Sequence, residues 1–170
     1  METSKTYENF PIRIVLQSNV VSFGIYVLGF IITYQLGWIP SIFYLGFILA
    51  IEYRLIRYSC TNCYYWGKTC GFGRGRLSAL FLKKGDPLKF CNNVITWKTM
   101  IPDLLISLIP LVIGIILLVI KFEALILFAL VLLIALTTAG NGYIRGTLTC
   151  RNCKQRELGC PADKLFNKGK

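Results

Sequence analysis

Residues 101–120 read IPDLLISLIPLVIGIILLVI, and this stretch decides the fold of the 170-residue chain. A helix of about 20 apolar residues, rising about 1.5 Å per residue, crosses a hydrocarbon core of about 30 Å. Three further apolar stretches cover residues 14–36, 38–56 and 124–139 or slightly beyond. Because lipid offers no water to bare backbone amides, each stretch is predicted to be a helix. The sequence therefore predicts an all-α membrane protein with four transmembrane helices.

Short connections divide the four predicted spans into two tandem helical hairpins. GWIP at residues 37–40 joins the first two spans, and KFE at residues 121–123 joins the last two. We do not expect the first span to be a cleaved signal peptide, because bulky residues rather than small ones follow it. The predicted organisation is an N-terminal tail with the first hairpin (1–57), a Cys-rich basic segment (58–100), the second hairpin (101–140) and a C-terminal tail (141–170).

The basic residues predict the orientation of the protein. The chain has 19 Lys and Arg against 8 Asp and Glu, a net charge of +11, and among the basic residues only Lys121 falls at a hairpin tip. Cytoplasmic loops carry the excess of Lys and Arg in membrane proteins. Both termini and the middle segment are therefore predicted to be cytoplasmic, in the cell membrane. Attraction to anionic lipid headgroups accounts for the charge without a nucleic-acid partner.

The cysteines form two matching triplets. The chain has 7 Cys and no His, which excludes Ser-His-Asp triads, HExxH zinc sites and His-ligated haem. Each triplet reads C-x-N-C-x6-C and follows one hairpin, so the chain is interpreted as a parallel duplication of hairpin and motif. The seventh thiol, Cys91, lies in the same predicted cytoplasmic segment. The six candidate ligands are Cys60, Cys63, Cys70, Cys150, Cys153 and Cys160.

All seven cysteines lie outside the four predicted spans, and metal ligation explains this distribution best. Structural disulfides are disfavoured in a reducing cytoplasm and by the odd number of Cys. A C-x2-C turn directs two thiolates to one ion, and soft sulfur suits zinc or, as the alternative, an iron–sulfur cluster. Nearby cations are expected to lower the thiol pKa values. Asn62 and Asn152 are expected to help the chain turn in left-handed geometry, and Gly71, Gly73 and Gly75 to let backbone amides approach sulfur.

The spacing C-x2-C-x6-C, used twice, resembles the binuclear zinc cluster of the fungal six-cysteine transcription regulators. That resemblance covers the ligand spacing alone, and it implies two ions that share bridging thiolates; DNA binding is not carried over. Two other ligand sets stay open at this point. One is a single four-thiolate site made of Cys60, Cys63, Cys150 and Cys153. The other is an iron–sulfur cluster with ligands from both triplets or with Cys91 as a fourth ligand of the first.

Polar and aromatic residues outside the triplets are interpreted as membrane anchors. Glu52 and Asp103 fall near predicted span ends and are expected to anchor at the interface, with Glu52 pairing to Arg54 or Arg57. Residues 77–84 (LSALFLKK) could form a short interfacial helix. Aromatic rings interleaved with basic residues are expected at the headgroup level rather than stacked on nucleic acid: Tyr64, Tyr65, Trp66, Phe72, Phe81 and Phe90.

These patterns favour a small multi-pass metal-binding membrane protein that acts as a structural or regulatory partner of another complex, or as a homo-oligomer. The chain offers no acid–base constellation or nucleotide motif, which argues against an enzyme. A second reading is a membrane redox protein that carries an iron–sulfur cluster or exchanges thiols. A third is a transporter or channel, although no charge is expected in the middle of a span.

Overall fold

The computed structural model describes residues 6–92 and 97–161, with the backbone alone for residue 88 and residues 97–99. The described residues are mostly helical and contain no strand; one isolated bridge pairs Tyr7 with Cys153. Four helices among them are long and apolar enough to cross a membrane: Ile12–Tyr34, Trp38–Cys60, Met100–Ile120 and Ala124–Thr149. The predicted four-span helical architecture is confirmed, while the arrangement as two hairpins stays a prediction. Parts of the predicted tails and middle segment (1–5, 93–96 and 162–170) lie outside the described residues.

The first two spans are α1 (Ile12–Tyr34) and α2 (Trp38–Leu55), which continues as a π-helical turn over Ile56–Cys60. The connection between them is residues 35–37 rather than the predicted 37–40. Pro40 lies in the first turn of α2, where a missing N–H costs no helical hydrogen bond. Gly37 ends the turn with φ +116°, a conformation that favours glycine.

Two short helices follow, α3 (Arg74–Phe81) and α4 (Pro87–Asn92), before the third long helix α5 (Trp97–Ile120). The last span begins as α6 (Ala124–Ala135) and continues through a π turn (Leu136–Gly140), α7 (Asn141–Tyr143) and a second π segment (Ile144–Thr149). It thus extends to Thr149, next to the second Cys triplet, whereas the span was predicted to end at residue 139 or slightly beyond. The second and the fourth span each end in a π-helical segment next to a Cys triplet.

The chain divides into two compact units. The apolar unit comprises Val20–Glu52 and Lys98–Gly142. The cysteine unit comprises Met1–Asn19, Tyr53–Trp97 and Tyr143–Lys170, and it contains all seven Cys residues.

The apolar unit is fixed around Tyr44, which is 4% exposed. Pro110 lacks an N–H, so the carbonyl of Ile106 loses its helical donor, and an unpaired carbonyl in hydrocarbon is costly. The Tyr44 hydroxyl donates to that carbonyl at 2.7 Å. Gly29 makes room for the ring, since a Cβ there would meet the Tyr44 hydroxyl oxygen at 2.1 Å. The kink permitted by Pro110 is therefore coupled to a tyrosine from another span.

Around this contact lies a buried apolar cluster drawn from four spans. The Tyr26 hydroxyl donates to the Glu52 carboxylate, and Arg57 donates to the Tyr53 hydroxyl at 2.9 Å. The expected pairing of Glu52 with Arg54 or Arg57 stays a prediction. The buried members of the cluster are Ile25, Ile32, Tyr44, Ile48, Ile106, Ile126, Ala129, Leu130 and Leu133.

The cysteine unit has a smaller buried cluster, made of Phe10, Val15 and Tyr65. Cys63, Cys70 and Cys153 pack against it as partly buried neighbours. The two triplets therefore share one small core rather than standing on separate loops.

Candidate metal centre

The two Cys triplets have the same local backbone geometry. The Cys63 N–H donates to the Cys60 carbonyl at 3.3 Å, and the Cys153 N–H donates to the Cys150 carbonyl at the same distance. Three residues further along, the carbonyl of the second Cys accepts an N–H at 3.1 Å in both copies, from Trp66 in one and Arg156 in the other. Each C-x2-C segment is thus a tight turn that follows a π-helical segment, and the paired thiols start from equivalent positions.

The asparagines inside the C-x2-C turns act differently from the prediction. No non-glycine residue among those described has a positive φ, so left-handed geometry at Asn62 and Asn152 is wrong. Each side-chain amide instead donates to the carbonyl four residues earlier: Asn62 to Tyr58 at 2.9 Å and Asn152 to Leu148 at 3.2 Å. These bonds occupy carbonyls at the helix end and tie each turn to its span.

A reciprocal pair of hydrogen bonds joins the two triplets. The Tyr64 N–H donates to the Gln155 side-chain carbonyl oxygen at 2.7 Å. The Lys154 N–H donates to the Tyr65 hydroxyl oxygen at 3.0 Å. The two bonds are equivalent. In each triplet, the residue directly after the second Cys donates its N–H to a side chain of the other triplet. That side chain stands two positions after its own second Cys. Both receiving side chains, Tyr65 and Gln155, are 1% exposed, so the acceptor of each bond is buried.

The N-terminal segment completes this junction. The Tyr65 hydroxyl donates to the Tyr7 carbonyl, and the Tyr7 N–H donates to the Asn152 carbonyl at 3.0 Å. The Phe10 ring packs against the Tyr65 ring with centroids 5.5 Å apart. Tyr65 was predicted at the headgroup level, and that prediction is wrong: it lies in the core of the cysteine unit and links three segments of the chain.

Burial dominates the chemistry of the two central thiols. It raises the pKa of Cys63 to about 12, with a further increase from the Cys60, Cys70 and Cys160 thiols. Burial likewise raises the pKa of Cys153 to about 12, with contributions from Cys63, Cys150 and Cys160. The expectation that nearby cations lower the pKa values of these two thiols is wrong, because loss of water around sulfur raises both pKa values. The thiols that influence Cys63 and Cys153 come from both triplets.

Cys91 belongs to the surroundings of these thiols through Gln155. The Gln155 side-chain amide donates to the Cys91 sulfur at 3.5 Å, and the Cys91 thiol donates to the Leu158 carbonyl at 3.2 Å. One glutamine therefore contacts the first triplet through its oxygen and Cys91 through its nitrogen.

The thiols do not form a preformed metal-binding site in the described part of the chain. Over residues 6–92 and 97–161, no three Cys, Asp or Glu side chains converge closely enough to hold a metal ion as they stand. All seven cysteines are thiols and none forms a disulfide.

The glycines after Cys70 pack against the surrounding chain. A Cβ at Gly71 would meet the Thr149 side chain at 2.6 Å, and one at Gly75 would meet the Tyr65 carbonyl oxygen at 2.2 Å. Their place in the structure is thus explained by the close approach of neighbouring segments.

Sequence reasoning missed Tyr65 and Gln155 as the residues that join the triplets. A signal was present, because both stand two residues after the second Cys of their motif. Their different side chains concealed the equivalence. No protein-family model, curated protein or solved structure matches this chain.

Proposed function

We propose that this chain is a multi-pass membrane protein whose two Cys triplets bind one shared thiolate-ligated metal centre, with zinc as the metal. The centre would fasten the two halves of the chain together. The protein would then act as a structural or regulatory partner of another complex. The reciprocal hydrogen bonds between Tyr64 and Gln155 and between Lys154 and Tyr65 carry this proposal, because they join the segments that directly follow Cys63 and Cys153.

The repeated local geometry supports a duplicated origin for the site. Equivalent residues make equivalent bonds in both triplets, and the bonds between the triplets are exchanged symmetrically. A duplicated half-site that pairs with its own copy supplies an even set of thiolates around one centre. The proposed ligands are Cys60, Cys63, Cys70, Cys150, Cys153 and Cys160.

The environment of the central thiols supports a role for a cation. Two partly buried thiols with pKa values near 12 stay protonated at neutral pH. A bound metal ion would displace those protons and offset the negative charge that burial otherwise disfavours. Soft sulfur ligands in a chain without His favour zinc or iron–sulfur over harder cations. Thiols that lie near one another and converge only when metal binds are typical of small metal-stabilised folds.

The distribution of basic residues supports a cytoplasmic location for the site. In addition to their charge, several cations lie over aromatic rings of the cysteine unit, including Lys68 over Tyr64 at 4.3 Å and Arg145 over Phe72 at 5.5 Å. Cations held in this way keep the segment positive next to an anionic inner leaflet.

Elemental analysis and X-ray absorption of the full chain, purified in mild detergent without added metal, test the proposal. We expect bound zinc with sulfur ligands at about 2.3 Å. The Cys60→Ser and Cys150→Ser variants should each lose metal and thermal stability, while Cys91→Ser should retain both. Iron with inorganic sulfide would replace this proposal with the redox function. Protein without metal, or a metal bound by oxygen and nitrogen, would overturn it.

A further inference from the structure

Helix α3 (Arg74–Phe81) has two faces with opposite surroundings. Gly75 and Ser78 form the buried face: a Cβ at Gly75 would meet the Lys68 carbonyl oxygen at 2.5 Å, and Ser78 is 0% exposed. The other face carries Leu77, Leu80 and Phe81, and the last two side chains are each 77% exposed. Small residues thus pack inward and large apolar residues face outward, the reverse of a water-soluble amphipathic helix.

Cations flank the exposed apolar face. Arg76 on α3 and Lys83 and Lys84 just after it are all exposed. A short helix with large apolar side chains outward and basic residues at its borders is the pattern of segments that lie in the headgroup region of an anionic bilayer.

Contacts within the cysteine unit hold α3 at the ends of two predicted spans. The helix packs against the π turn Ile56–Cys60, which ends the second span. Gly73, with φ +73°, precedes it and lies against Val15, where a Cβ would be 3.2 Å from the Val15 side chain. The Asn19 amide donates to the Phe72 carbonyl at 3.3 Å. Val15 and Asn19 lie in the first turns of α1, so α3 is tied to span ends, where headgroups surround a membrane protein.

We propose that α3 is an interfacial helix that binds the anionic surface of the membrane that the protein spans. Leu77, Leu80 and Phe81 insert at the boundary between headgroups and acyl chains. Arg76, Lys83 and Lys84 bind lipid phosphates and anionic headgroups beside them. The occupant of this surface is the bilayer, because the cationic border complements anionic lipid and the helix is fastened to span ends.

Hydrogen exchange of the full-length protein in lipid nanodiscs tests this assignment. One sample uses phosphatidylcholine alone, and the other adds phosphatidylglycerol as a minority component. We expect amides of residues 76–84 to exchange several-fold more slowly in the anionic nanodiscs. In the double variant Leu80→Glu/Phe81→Glu this difference should disappear. Leu158→Glu places one negative charge on another exposed leucine of the cysteine unit and should leave the difference intact.

A milder variant separates lipid binding from misfolding. Arg76→Gln/Lys83→Gln/Lys84→Gln leaves the apolar face unchanged and should remove the dependence on phosphatidylglycerol while exchange elsewhere in the chain stays as in the wild type. Equal exchange of residues 76–84 in the two lipids for the wild type would overturn the assignment and indicate a protein partner for this face. Persistence of the lipid dependence in both variants would overturn it as well.

Discussion

Different interactions stabilise each of the two compact units. The apolar unit has nine buried side chains in one cluster, and large residues fit against small ones, as Tyr44 does against Gly29. The cysteine unit has a cluster of three, and its segments are joined by hydrogen bonds between Tyr64, Tyr65, Lys154 and Gln155. Few buried apolar side chains give a small domain little stability, and such domains commonly depend on disulfides or metals. We therefore expect side-chain volume to control the stability of the apolar unit and metal ligation by sulfur to control the stability of the cysteine unit.

Removal of both central thiols should produce the largest difference between the units. Structural zinc in small domains contributes on the order of 10 kcal/mol to folding. The double variant Cys63→Ser/Cys153→Ser should therefore lose hydrogen-exchange protection across the cysteine unit and keep it in the apolar unit. Cys91→Ser is the matched control and should preserve both patterns. Equal loss of protection in the two units would contradict the division.

A change of volume in the apolar unit should have the converse effect. Gly29→Ala introduces a Cβ that would lie 2.1 Å from the Tyr44 hydroxyl oxygen, so the ring must move away from the Ile106 carbonyl. Overpacking of this kind costs about 3 kcal/mol. Gly46→Ala is the control, because nothing lies within 4 Å of its added Cβ. Unfolding in mixed micelles should show destabilisation for Gly29→Ala alone, with metal content unchanged in both variants; similar unfolding curves would contradict the packing account.

Loss of one hydroxyl should loosen the junction of the triplets. In Tyr65→Phe the Lys154 N–H loses its acceptor and the Tyr7 carbonyl loses its donor. Leaving these partly buried groups unpaired costs about 1 kcal/mol. Tyr64→Phe removes the neighbouring hydroxyl, which accepts from Lys68 at 2.9 Å, and should cost far less. Apparent zinc affinity measured by chelator competition should fall in Tyr65→Phe and remain near wild type in Tyr64→Phe.

Stability should change with pH in opposite directions and in different pH ranges in the metal-free and metal-bound protein. In the metal-free protein the pKa values of Cys63 and Cys153 are raised from 9.0 to about 12. Their contribution is present below about pH 9 and lost as pH rises toward 12, at about 1.4 kcal/mol per pH unit per thiol. Metal binding displaces protons, so the metal-bound protein should instead gain stability as pH rises through the neutral range. Thermal unfolding with and without a chelator measures both slopes, and slopes of the same sign would count against thiolate ligation.

The sequence predicts the spans well because a bilayer leaves a long apolar segment almost no alternative to a helix. Helix ends are harder to predict: Pro40 is accepted in the first turn of α2, and the last span runs past three glycines to Thr149. The cysteine neighbourhood could be proposed from its repeated spacing.

The contacts that build this neighbourhood could not be read from the sequence. The link between Tyr64 and Gln155 joins residues 91 positions apart, and nothing local marks them as partners. Burial is also invisible in a linear pattern. For that reason the pKa direction of Cys63 and Cys153 and the position of Tyr65 were predicted wrongly.

Metal content per chain in variants of one triplet at a time tests the central claim most directly. The set is Cys60→Ser, Cys63→Ser, Cys150→Ser and Cys153→Ser, each purified beside the wild type and analysed for bound metal. A shared centre predicts that a substitution in either triplet removes the metal held by both. Loss of only half the metal in each variant would mean two independent sites, and unchanged metal in all four would contradict ligation by the triplets.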